Sequence, residues 1–352
     1  MNLEEALQSI KGLDRQSLDK AQKRLDSLTK PLGSLGRLED IVKQLAGINK
    51  TGFPSVDKKA IVIMCADNGV TDEGVSSCPR SVTASVTRNF TKGITGVNVL
   101  SRHSEADIVV VDIGVADDII CDGVINRKVR KGTYNMAKGP AMTRQEAIKA
   151  IETGIDIVCD LSKKGYNLLG TGEMGIGNTS TSSAVAIALT VSSIEDMVGK
   201  GAGLSNEGLK HKIEVIRKSI NINLPDPEDP IDVVSKVGGF DIAGLAGCFI
   251  GAAACRIPVV VDGFISAVAA LVAVKLKPEV KDFLLPSHGS AEPGNKKVMA
   301  ELGLEPFLNL EMRLGEGTGA ALGFHIIDAA VSAYMNMGTF DDANITQYEP
   351  LE

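Results

Sequence analysis

In the run "EMRLGEGTGAALGFHIIDAAVSAYM" (311–335), Glu316 stands between Gly315 and Gly317, with Thr318-Gly319 and a long apolar helical pattern behind it. A glycine on each side lets the backbone turn sharply and lets another group approach closely, at a cost that a plain surface turn need not carry. The carboxylate so framed is a candidate for contact with a bound molecule. A second candidate is "GTGEMGIGNTSTSSAVAIAL" (170–189). There Gly170, Gly172, Gly175 and Gly177 lie between a strand pattern and a helix pattern whose first turn holds Asn178, Thr179 and Ser180. Free N–H groups and hydroxyls then converge on the positive end of a helix, a cradle suited to phosphate. The loop has no GK[ST], and the first strand ends in "CADNG" without GxGxxG, so it is neither a Walker loop nor a dinucleotide fingerprint. A capped helix with a flexible lead-in explains the same spacing equally well.

Other polar residues are weaker signals. Glu173, inside the Gly-rich loop, reads as a second carboxylate or as a solvated turn residue. Lys212 follows another Gly-rich turn (Gly199, Gly201, Gly203), and a lone lysine on a helix is usually a solvated face. "LPSHGSAEPG" places Ser287, His288 and Ser290 beyond a strand, but GxSxG is missing and no acid partner is evident for Ser/His catalysis. The four histidines show neither HxH nor HExxH spacing, so chemistry without a bound transition metal is expected, with His325 a satisfied core residue. Six cysteines (Cys65, Cys78, Cys121, Cys159, Cys248, Cys255) contain no CxxC pair and read as reduced, incidental thiols rather than a metal or redox site.

The elements that position these residues follow from hydrophobic periodicity. "KAIVIMCADNGV" is a continuous apolar run leading into a polar turn, the shape of a buried parallel strand. The same shape recurs at 106–116, 166–178, 257–265 and 282–294, with helical patterns such as 143–165 and 178–190 between the strands. Strand, polar loop and helix in repetition predict an α/β, doubly wound, mostly parallel sheet with flanking helices, and ligands bind beyond the carboxyl ends of such strands. Residues 1–50 are helical by pattern, as is 317–336. The expected division is a helical part at 1–50, an α/β nucleotide-binding part at 51–305, and a helical part at 306–352 that carries the Glu316 loop.

Composition narrows the class. A 352-residue chain with net charge −7 and pI near 5.3 has no electrostatic footprint for nucleic acid. Thirty-seven glycines against four tyrosines and no tryptophan lean toward an enzyme of small molecules. The N-terminus lacks an apolar signal region and the Ala-rich runs near 248–276 are broken by charges, so a cytoplasmic protein without a membrane span is expected.

Eight stretches, colinear over nearly the whole chain, resemble the nicotinate-nucleotide–dimethylbenzimidazole phosphoribosyltransferase family. They are "LTKPLGSLGRLE" (28–39), "ADNGVTDEGVS" (66–76), "GTGEMGIGNTS" (170–180), "GKGAGL" with "GLKHK" (199–212), "GGFDIAGLAG" (238–247), "VDGFI" (261–265), "HGSAEPG" (288–294) and "LGEGTGAALG" (314–323). The resemblance implies transfer of the phosphoribosyl group of nicotinate mononucleotide to a ring nitrogen of an aromatic base, with inversion at C1′, for cobamide biosynthesis. It implies Glu316 as general base, Glu173 as a second acidic residue and Lys212 facing the nucleotide. Gly175, Ile176, Gly177, Gly203, Ser290 and Gly317 would form the phosphate and ribose cradle. Neither a metal nor another cofactor is implied. The family fold is a mostly parallel α/β domain plus a small helical domain built from both chain ends, in a homodimer whose partner borders the site.

Ser76, Asn68, Cys78, Ser85 and Met174 fall in the region that borders the aromatic base in this family. Three depart from its pattern: Asn68 stands where histidine is expected, Cys78 where an aromatic is common, and Ser85 where glutamine is common. Such changes alter which base is discriminated, so the expected acceptor is a benzimidazole, purine or phenol other than dimethylbenzimidazole. The alternative is a catalytically silent paralogue that completes the site of a homologous subunit in a heterodimer, against which the retention of both Glu173 and Glu316 weighs.

Overall fold

The computed structural model describes residues 1–190 and 192–347. The apolar runs form one six-stranded sheet of β1 (Lys59–Ala66), β2 (Ala106–Gly114), β3 (Val124–Asn126), β4 (Leu168–Met174), β5 (Val259–Val261) and β6 (Leu284–Pro286). Their order is β3-β2-β1-β4-β5-β6 and every neighbouring pair is parallel, as in Ile61 opposite both Ile108 and Gly170. All of "KAIVIMCA" in β1 is buried, because helices cover both faces and leave no solvent side to mark with polar residues. Strand order reverses between β1 and β4, and at such a switch point the loops diverge to leave a crevice. Only β3 lies outside the predicted strands; its three residues, "VIN", form an edge strand too short to show a pattern.

One face of the sheet is covered by helices Arg144–Lys163, Asn178–Thr190, Phe240–Cys255 and Phe264–Leu276. Arg15–Ser27, Arg37–Asn49, Ser81–Thr91, Gly96–His103 and Thr318–Asn336 cover the other. Helix starts follow ordinary capping chemistry: Thr143 accepts from the Glu146 N–H while Glu146 reaches back to Thr143. Residues 1–50 divide between the layers. Leu3, Ala6 and Ile10 join the first, whereas Ala21, Leu25 and Leu45 share an apolar cluster with Ile61 and Ile63 of the sheet and Phe324 of the last helix. Burying Phe324 alone contributes about 1.5–3 kcal/mol. The chain ends meet there, with Leu28 bridged to Thr339 and the Arg24 guanidinium donating to the Tyr334 and Met335 carbonyls at 3.1 and 3.0 Å. The late helix that follows Glu316 is thereby clamped against the sheet. Among the described residues no helix is long and apolar enough to cross a membrane.

Candidate active site

Beyond the carboxyl ends of β4, β5 and β6 lies a cavity of about 940 Å³, a size suited to a nucleotide with a second small ring system. Its floor is the Glu316 turn. Gly315, Glu316 and Gly317 have φ of 79°, 62° and 96°, three consecutive left-handed residues. Glycine adopts that region freely, but glutamate there is uncommon and held by its surroundings. The confinement comes from β4, where a Cβ on Gly172 would overlap the Glu316 carbonyl. Behind the turn, Asp262 at the end of β5 accepts the N–H groups of Gly317, Gly319 and Ala320 at 3.1, 2.6 and 3.1 Å. The positive end of helix Thr318–Asn336 is therefore neutralised by a protein carboxylate, and the Gly317 N–H is committed to Asp262 rather than open to a ligand.

The Glu316 side chain faces the cavity. Its Oε2 is shielded from solvent and has no hydrogen-bond partner among the described residues. Burial raises its pKa, the Val97 N–H in the first turn of helix Gly96–His103 opposes that, and Asp262 adds to the rise. Glu173, 7 % exposed, ends β4 with its Oε2 accepting from the Asn178 side-chain amide. Burial, with the nearby Asp241 and Asp262 carboxylates, pushes it up to about 8, so at neutral pH it is mostly a neutral acid that can donate. One site thus holds two carboxyls with different tasks open to them: Glu316, an acceptor with one oxygen free of hydrogen bonds among the described residues, and Glu173, a protonated donor.

The start of helix Asn178–Thr190 forms another wall. Gly175, Ile176, Asn178 and Thr179 line the cavity, and Ser290 faces them from the loop after β6. The Ile176 N–H is given to Thr83 Oγ1 at 3.0 Å, so it serves the protein. Lys212 is only 1 % exposed and sits behind this wall, its ammonium donating to Thr179 Oγ1 at 2.8 Å and to the Gly199 carbonyl at 3.0 Å. Burial brings it down to about 8, partly offset by Glu292. It is not the solvated lysine that a lone position on a helix suggests.

The third wall is apolar. Val82 and Val86, one turn apart on helix Ser81–Thr91, face the cavity with Leu100, Met174 and Leu314. Of the residues expected around an aromatic base, Met174 is on the wall, but Ser76, Asn68, Cys78 and Ser85 are not. Asn68 is fully buried behind Gly175, donating to Asp241 Oδ2 at 3.4 Å. Ser85 is exposed, its hydroxyl returned to the Ser81 carbonyl, and the Ser76 hydroxyl accepts from the Cys78 N–H. Gly177 and Gly203 also lie off the cavity wall. His325 differs from expectation: its Nε2 is buried without a partner among the described residues, and its ring lies 4.8 Å from that of His103.

Sequence reasoning missed Asp262, Glu292 and Arg313, all lining the cavity, and the apolar pair Val82 and Val86. The valine pair had a signal in its spacing, at i, i+4. Among the described residues no group of three or more His, Cys, Asp or Glu side chains is arranged to hold a metal ion.

Residues 10–345 match a family model described as phosphoribosyltransferase. The chain is 71 % identical over 352 residues, covering all of both proteins, to the nicotinate-nucleotide–dimethylbenzimidazole phosphoribosyltransferase of Ruminiclostridium cellulolyticum. To the enzyme of that name from Acetivibrio thermocellus it is 69 % identical, over 98 % of this chain and 99 % of that one. Among solved structures, CobT from Thermus thermophilus superposes with a TM-score of 0.90 at 36 % identity, covering 95 % of this chain and 100 % of that one. With a match over nearly its whole length, and a sheet, cavity and carboxylate turn of this kind, the chain belongs to the nicotinate-nucleotide–dimethylbenzimidazole phosphoribosyltransferase family of pentosyltransferases.

Proposed function

We propose that this enzyme moves the 5-phosphoribosyl group of nicotinate mononucleotide onto a ring nitrogen of an aromatic base, releasing nicotinate and leaving an α-ribotide phosphate for a cobamide lower ligand. The observation that carries this reading is the position of Glu316, which lines the same cavity as the apolar wall of Val82, Val86, Leu100 and Met174. An aromatic base against that wall would direct its N–H to Glu316. As its other nitrogen bonds C1′, the N–H becomes strongly acidic, and Glu316 takes the proton. Nicotinate departs with the electrons of the breaking C1′–N bond, so its pyridinium nitrogen needs no acid.

The phosphate is assigned to the start of helix Asn178–Thr190, where Gly175, Thr179 and Ser290 converge and Lys212 adds charge through Thr179. Glu173, protonated, is assigned a hydrogen bond to the ribose or the base. Because Asn68, Cys78 and Ser85 stand off the wall, discrimination among acceptors falls to Val82, Val86 and Leu314. An all-apolar wall favours benzimidazoles over purines and phenols, whose polar edges would be left unpaired. Cytoplasmic location and action as a dimer, with a copy of itself or a homologous subunit, belong to the same reading. Val99 (53 %), Leu310 (54 %) and Leu314 (60 %) are exposed beside the cavity, an apolar rim of the kind a second subunit covers.

The test is incubation of the purified protein with nicotinate mononucleotide and a panel of benzimidazoles, purines and phenols. Nicotinate release matched one-to-one by α-ribotide phosphate is expected with the benzimidazoles. Absence of release with every acceptor, alone and with a homologous subunit, would overturn the assignment.

A further inference from the structure

Helices Arg144–Lys163 and Phe240–Cys255 run side by side in the same direction, away from the cavity, and meet along a seam that repeats every four residues. A Cβ on Gly247 would overlap the Ile151 carbonyl, and one on Gly251 would lie 3.0 Å from Ile155 Cα. One further step of four on each helix gives Cys159 and Cys255, which continue the line along which the two backbones nearly touch. Their sulfurs are 3.4 Å apart, although the residues are 96 positions apart in the chain. That separation is why the cysteine spacing reads as incidental. Both residues are partly exposed, unlike Cys65 and Cys248, which are buried.

From this geometry we infer that Cys159 and Cys255 form a reversible dithiol–disulfide couple that bridges the two helices. A disulfide needs its sulfurs at about 2.05 Å and its Cα atoms within about 7 Å, so closing the pair takes a side-chain rotation where the glycine seam already holds the backbones together. The hydrogen bond between the two sulfurs lowers the pKa of Cys159, the N-terminal ammonium adds to that fall, and Cys255 is pushed up. Cys159 is therefore the attacking sulfur.

The oxidant is a low-molecular-weight disulfide. The Cys159 thiolate attacks one of its sulfurs, forming a mixed disulfide and expelling one thiolate. Cys255 then gives up its proton and attacks Cys159 Sγ, forming the Cys159–Cys255 bond and expelling the second thiolate. Two protein thiols lose two electrons and two protons, and one small disulfide becomes two small thiols.

Incubating the full chain with oxidised glutathione, alkylating the remaining thiols and mapping peptides without reductant tests this. The expected result is loss of two of the six thiols, a linked peptide pair containing Cys159 and Cys255, and full recovery with dithiothreitol. Cys255→Ser should accumulate glutathione on Cys159, whereas Cys159→Ser should take up far less at Cys255. The bridged form should also unfold at a higher temperature than the reduced form, since the link closes a long loop in the unfolded chain. Six free thiols after oxidation, a bond to any other cysteine, or glutathione that stays on Cys159 of the unaltered protein would overturn the proposal.

Discussion

The carboxylate of Asp262 accepts the backbone N–H of Gly319 at 2.6 Å and that of Gly317 at 3.1 Å, tying the end of β5 to the chain that leaves the turn presenting Glu316. Asp262→Asn keeps one acceptor oxygen and turns the other into an NH₂ that faces an N–H donor. Leaving such a buried donor unpaired costs about 1–3 kcal/mol, read as a lower urea midpoint. Because the turn is then less firmly held, kcat should fall while KM for the nucleotide changes little. An unchanged kcat in a destabilised variant would confine Asp262 to folding.

Glu316→Gln preserves shape but cannot take a proton. Removing a positioned general base lowers rates by about 10²–10⁴-fold, and that loss is expected in kcat with both KM values nearly unchanged. The base must be ionised to act, so kcat/KM of the unaltered enzyme should fall as pH drops through the pKa of Glu316. Burial places that limb above the 4.5 of a free glutamate. The limb should vanish in the glutamine variant, and its survival there would assign the titration to another group.

How far these features are legible in the sequence depends on how local they are. Strand β1 is buried on both sides and announces itself as a continuous apolar run, as does the buried carboxyl half of β2 in "VVDIG" more weakly, and the Glu316 turn is marked by its flanking glycines. Asp262 carries no such mark. In "VVVDGF" it reads as a polar end to a strand, and its function exists only because folding brings it to N–H groups 55, 57 and 58 residues away. Asn68 shows the converse. Its loop lies at the carboxyl edge of the sheet, as the strand pattern predicts, but its side chain turns into the protein toward Asp241, a direction that chain position does not determine. Val82 and Val86 form a helical stripe in plain view, yet which stripe meets a cavity and which meets the core is decided by packing.

Glu173 should make stability depend on pH in the sense opposite to an ordinary carboxylate. Its folded pKa, about 8, lies above the 4.5 of the free side chain, so the folded state holds this proton more tightly. The resulting stabilisation is complete below pH 4.5 and is lost as pH rises through 8. Glu173→Gln stays neutral throughout and can still accept from Asn178. Melting temperatures of the two proteins across this range should diverge, with the unaltered protein losing stability relative to the variant as pH rises. Parallel curves would mean that Glu173 ionises without cost.

The apolar wall leads to a prediction about acceptors. Val86→Ala opens space beside the position assigned to the base, and a lost contact of about a methylene is worth about 1–3 kcal/mol in discrimination. The variant should therefore lose about tenfold in kcat/KM for dimethylbenzimidazole relative to unsubstituted benzimidazole, measured by nicotinate release with each acceptor. Ser85→Ala, on the same helix but facing solvent with its hydroxyl bonded to the Ser81 carbonyl, should leave that ratio where it is. If Ser85→Ala shifts the ratio and Val86→Ala does not, the base lies against a different face of helix Ser81–Thr91, and the cavity wall assigned to it must be redrawn around the exposed side.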